Sequence, residues 1–99
     1  MDIFSPLELG DLTLRNRIIM APMTRSRAGA DAVPTDIMRE YYRQRAGAGL
    51  IITEGIAPSA DGLGYCRTPG IYNDKQVEAW RKIVDSVHGE GGTIVAQLM

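Results

Sequence analysis

RIIMAPM, residues 17–23, is almost continuously apolar, breaks at Pro22, and is followed at once by the hydroxyl of Thr24. Two later runs share its texture, LIITE at 50–54 and TIVAQLM at 93–99. A strand with one wet face alternates apolar and polar residues. Strands covered on both faces read as near-continuous apolar runs, which is the pattern of a parallel sheet. The three runs predict three parallel strands.

Parallel neighbours need crossover connections, and each gap contains an amphipathic helical pattern. The first helix is expected from Thr35, an N-cap following Pro34, with Ile37, Met38, Tyr41 and Tyr42 at helical spacing. Gly47 and Gly49 end it. The second is expected from Asn73, with Gln76 placed three residues on as in a capping box. Val77, Trp80, Ile83, Val84 and Val87 form its apolar stripe, and Gly89 is its expected stop.

Ahead of these elements, LELGDLTL at 7–14 alternates around Gly10-Asp11 and predicts a β-hairpin, expected to serve as a lid or plug. The chain thus reads as one α/β domain, residues 1–99: a hairpin segment over 1–16, then β-α-β-α-β over 17–99. The connection IAPSADGLGYCRTPGIY, 56–72, is rich in Gly and Pro and is expected to lack secondary structure. It leaves the C-terminal end of a strand, the face where parallel α/β folds bind ligands. Length points the same way, since long connections are more often functional than idle.

Charge and cysteine usage exclude several classes. Eleven Lys and Arg against 12 Asp and Glu give a net charge of −1, without the basic footprint that nucleic acid needs. The single Cys66 permits no internal disulfide and suits a reducing compartment. Asp2 and Glu8 stand where a signal peptide would be basic and then apolar. The apolar runs fall short of the roughly 20 residues that span a bilayer. A cytoplasmic, membrane-free protein is expected.

Two closures suit this element order: a doubly wound open sheet, or a (β/α)₈ barrel of typically ~250 residues. Three strands leave unpaired edges, which invite association unless something covers them. A complementary polypeptide carrying the remaining strands is the expected partner.

The strand ends Pro22-Met23-Thr24, Glu54-Gly55 and Gln97-Leu98-Met99 would gather on one rim. Pro22 removes a ladder donor, and Gly55 permits close backbone approach. Thr24 adds a hydroxyl and Gln97 a carboxamide with both donors and acceptors. Singly, Thr24 reads as a turn residue and Gln97 as a partner for buried backbone. Jointly they suit a flat heterocycle with mixed hydrogen-bonding edges. One His without a Cys/His cluster does not suit a metal. Arg25 and Arg27 are expected to pair with carboxylates and brace the loop. Cys66 has no adjacent base and reads as a free thiol. His88, in the last turn of the second helix, reads as structural. Gly47-Ala48-Gly49 precedes a strand, so it is not a phosphate loop.

Four stretches together, NRIIMAPMTRSRA (16–28), EYYRQRAGAGLIITEG (40–55), GLGYCRTPGIY (62–72) and HGEGGTIVAQLM (88–99), resemble the Old Yellow Enzyme family of flavin-dependent ene-reductases. The resemblance runs from about Pro6 to Met99 and implies the N-terminal part of a TIM barrel. It further implies FMN at the C-terminal rim, reduced by NADPH or NADH, and hydride passed to the β-carbon of an activated alkene. Carried over, Pro22, Met23, Thr24, Gly55 and Gln97 would contact the flavin. Tyr65, Met99 and Thr24 would face the substrate. Met99 stands where many members have Trp, and a flexible thioether would reshape that pocket. The family's carbonyl-binding pair, tyrosine proton donor and phosphate-binding segments match nothing here and are expected downstream, so no catalytic residue is assigned. Two alternatives remain: an inactive fragment that self-associates through its sheet edges, and part of a related dienoyl reductase.

Overall fold

Gly10 adopts φ +59°, a left-handed conformation that a side chain would strain, and the chain reverses there. Strand β1 (Leu7–Leu9) consequently pairs antiparallel with β2 (Leu12–Leu14), Leu9 opposite Leu12, as the alternation predicts. This computed structural model describes residues 2–99, so residue 1 of the expected hairpin segment lies outside the described residues.

The other strands form one parallel sheet in the order β3-β4-β5: β3 (Ile19–Met20), β4 (Leu50–Ile56) and β5 (Ile94–Leu98). The strand expected over 17–23 shrinks to two residues. Upstream, Arg17 gives its amide to the Ile3 carbonyl (2.8 Å) and its guanidinium to Ser5 Oγ and the Pro6 carbonyl. Downstream, residues 21–27 are irregular, and Pro22 has no amide hydrogen to offer a ladder. Strand β4 runs two residues beyond its expected end, to Ile56.

Helix α1 (Asp36–Gln44) follows Thr35 as expected, although the Thr35 hydroxyl donates to the Arg27 carbonyl (2.8 Å). It stops at Gln44, short of the glycines. Met38 and Tyr42 are buried one turn apart, which turns Ile37 outwards, 62% exposed. Helix α2 (Asp74–Gly89) is capped by Asn73 Oδ1, which accepts the Gln76 amide at 3.0 Å. Its buried row is Gln76, Trp80, Ile83 and Val87, so Val77 stays exposed, contrary to the expected stripe. Gln76 replaces it because its carboxamide accepts the Tyr72 amide (2.9 Å) and donates to the Asp31 carbonyl (3.1 Å). The helix ends at Gly89 as expected, and the left-handed residue that follows is Gly91, φ +79°.

The connection after β4 is more ordered than expected. It contains a 3₁₀ turn over Ala60–Gly62 and a parallel bridge between Ala57 and Gly70. The core packs Met38, Tyr42, Trp80, Ile83 and Val87 of the helices against Ile51 and Ile56, with Met20 and Ile94 at its edge. The opposite face of the sheet carries Ile19, 46% exposed, and Val95, 36% exposed. No helix among the described residues is long and apolar enough to cross a membrane.

Candidate functional site

Strands β3, β4 and β5 run in one direction, so their C-terminal ends share a rim. Ile52 pairs with Val95, but the next pairs are Gly55 with Gln97 and Ile56 with Leu98. Strand β4 thus carries one extra residue, a β-bulge at Thr53-Glu54. Two side chains replace the lost ladder contacts. Thr53 Oγ1 accepts the Gln97 amide at 3.1 Å and donates to the Glu54 carbonyl at 2.9 Å. The Glu54 amide donates to the Tyr42 hydroxyl at 3.0 Å, and that hydroxyl donates to Glu54 Oε2 at 2.7 Å. The bulge leaves Gly55 directly opposite Gln97.

The expected site residues divide into two groups. Gly55 is buried and lies against Met99: a β-carbon at 55 would stand 2.5 Å from Met99 Cε and 2.7 Å from its sulfur. Gln97 is half-buried, and Pro22, Met23 and Thr24 are exposed along the irregular stretch that leaves β3. Tyr65 sits on the connection, 66% exposed, where its carbonyl accepts the Thr68 hydroxyl at 3.1 Å. The connection reaches the rim at Gly62, whose β-carbon position is 3.1 Å from the Met99 carbonyl.

Among the described residues neither Arg25 nor Arg27 forms an ion pair within contact distance, although the charge and backbone of Arg25 act on the Glu54 carboxyl. Arg27 donates to the Arg25 and Ser26 carbonyls, and no ion pair involves it among the described residues. Arg25 stacks 5.4 Å from the Tyr41 ring centroid, while Arg45 lies 4.1 Å from it. Cys66 is an exposed free thiol.

Sequence reasoning passed over Glu54 and Tyr42. Both are essentially inaccessible, at 1% and 0% exposure. Burial raises the Glu54 carboxyl above its usual range, opposed by the Tyr42 phenol and by the backbone and charge of Arg25. Burial likewise raises the Tyr42 phenol. Glu54 Oε1 has no partner among the described residues. The signal was a carboxylate inside an otherwise apolar strand, since acidic residues are almost never fully buried without a partner.

This shift sets a pH dependence. A carboxyl raised on folding binds more protons in the native state than in the unfolded one. Its contribution is full below the unfolded value, near the ordinary 4.5, and declines as pH rises through the folded value. Urea unfolding of Glu54→Gln should lose that downward slope above pH 4.5; an unaltered profile would assign the slope to other groups.

The Gly55 backbone lies directly against the flexible Met99 thioether. The exposed Thr24 hydroxyl and the half-buried Gln97 carboxamide each offer both donor and acceptor capacity.

The sequence profile of the NADH:flavin oxidoreductase / NADH oxidase family matches residues 2–99. A chanoclavine-I aldehyde reductase of Penicillium roqueforti is 50% identical over 98 residues, covering 97% of this chain and 27% of the relative. A 12-oxophytodienoate reductase of Oryza sativa is 45% identical, covering 97% and 24%. Among solved structures, the old yellow enzyme homologue of Zymomonas mobilis superposes with a TM-score of 0.96 at 55% identity, covering 99% of this chain and 28% of that one. Morphinone reductase in complex with tetrahydroNAD gives 0.93 at 51%, covering 97% and 26%. The chain spans about a quarter of the length of these curated relatives.

Proposed function

The chain belongs to the NADH:flavin oxidoreductase / NADH oxidase family and is the N-terminal part of an Old Yellow Enzyme TIM barrel; on that premise we propose that its strand-end rim holds the isoalloxazine of FMN. The pairing of Gly55 with Gln97 at the exit of the parallel strands, where the segment leaving β3 also starts, supports this reading. Hydride transfer from NADPH or NADH to the β-carbon of an activated alkene is the chemistry FMN supplies when bound.

This chain's residues bind and orient. The Gly55 backbone admits the ring, Pro22 and Met23 line it, and the Gln97 carboxamide addresses its pyrimidine edge. The Thr24 hydroxyl donates towards a ring carbonyl and tunes the potential. Tyr65 and Met99 face the substrate. Carbonyl polarisation and proton donation belong to later strands of the barrel. Those strands would cover the open face at Ile19 and Val95 and the free edges of β3 and β5. Whether they come from the same polypeptide or a complementary one is decided by mass spectrometry of the purified protein.

The direct test is titration of the purified full protein with FMN, followed by NADPH oxidation in the presence of an activated alkene. A protein that neither retains nor takes up FMN would sink the proposal. Thr24→Ala should move the two-electron flavin potential by about 20 mV, the equivalent of one hydrogen bond. An unchanged potential and spectrum would make Thr24 a turn residue.

A further inference from the structure

Of the two side chains that bond across the bulge in β4, Thr53 lies within the sheet and Tyr42 reaches in from α1. Ladder geometry would direct the Glu54 amide to a neighbouring strand; instead it donates to the Tyr42 hydroxyl at 3.0 Å. The same hydroxyl returns its proton to Glu54 Oε2 at 2.7 Å. One phenol therefore bonds both the backbone amide and one carboxyl oxygen of the bulged residue, at a site with essentially no solvent access. Residue 55 is next in the chain, and its opposition to Gln97 exists only because one extra residue precedes it. Straightening the strand would move Gln97 off Gly55 and reverse the faces of the residues beyond.

We propose that Tyr42 and Glu54 are positioning residues for the cofactor rim, a clamp from helix to bulge that sets Gly55 opposite Gln97. The inference rests on the FMN reading of that rim. Neither residue touches the ring; both act through the β4 backbone. Phenylalanine at 42 would keep the packing volume but leave the Glu54 amide and carboxyl without their shared partner. Glutamine at 54 keeps an oxygen acceptor for the phenol, whereas leucine does not.

The experiment uses the full protein in two readouts, FMN affinity by visible titration and backbone amide resonances of the flavin-free form. Ile83→Val, a core change in α2 remote from the bulge, controls for general destabilisation. Tyr42→Phe and Glu54→Leu should each weaken FMN binding by about tenfold or more, with Glu54→Gln close to wild type. In Tyr42→Phe the Gly55 and Gln97 amide resonances should move further than they do in Ile83→Val. The proposal is overturned if Tyr42→Phe stays within about twofold of wild type, or if those two resonances respond no more than in the control. Should Tyr42→Phe fail to fold, Glu54→Leu binding FMN as well as Glu54→Gln overturns it equally. Wild-type protein that binds no FMN would refute the rim assignment, while the amide resonances still judge the clamp.

Discussion

Gly55→Val is expected to leave the protein folded and to strip it of flavin. The added β-carbon would meet Met99 Cε at 2.5 Å and its sulfur at 2.7 Å. Both belong to the free end of a flexible side chain that is 54% exposed, so the thioether can swing aside. Valine also suits a strand better than glycine does. Unfolding free energy should therefore stay within about 1 kcal/mol of wild type. On the proposed reading the ring has no such escape, because its approach would require the absence of a side chain at 55. FMN affinity should fall by about 100-fold, roughly 3 kcal/mol. Flavin titration and urea unfolding of the same preparation separate the two effects. Unchanged affinity would remove Gly55 from the site, and loss of the fold would make it a packing residue.

Trp80→Ala should be the most damaging single change to stability. Trp80 is 4% exposed, its indole N–H donates to the Gly70 carbonyl at 3.2 Å, and its ring lies 6.1 Å from that of Tyr42. Removing it opens a cavity between α2 and the sheet and frees the end of the connection at Gly70. Truncations of this kind cost about 3–5 kcal/mol. Urea unfolding of the full protein should show a loss of that size; below about 2 kcal/mol, the pocket must collapse around the missing ring.

Element order was legible because hydrophobic texture reports how many faces of a strand are covered. LIITE and TIVAQLM became β4 and β5 almost as read, and Asn73 capped α2 where the spacing placed it. RIIMAPM misled because apolar content cannot reveal that Arg17 bonds to the N-terminal segment instead of a neighbouring strand. Ile37 and Val77 misled for a related reason. Each lies one position, about 100°, from the row that packing selects, and a short apolar cluster does not say which row wins. At the rim, Gly55 and Gln97 were readable as strand ends. Their exact opposition was not, because it depends on a bulge secured by a residue 12 positions upstream of Glu54.

Arg15 lies just after β2, and its guanidinium bonds to the Ala46 and Glu90 carbonyls, beyond the C-terminal ends of both helices. One cation thus neutralises two negative helix poles and ties the hairpin to both crossovers. The fastening sits at the entry of the strands, while the groups proposed to bind the ring sit at their exit. Fold upkeep and chemistry therefore draw on opposite ends of the same elements. If Met99 and Tyr65 face the substrate as proposed, substitutions there would leave that anchorage untouched, which gives the scaffold latitude to diversify.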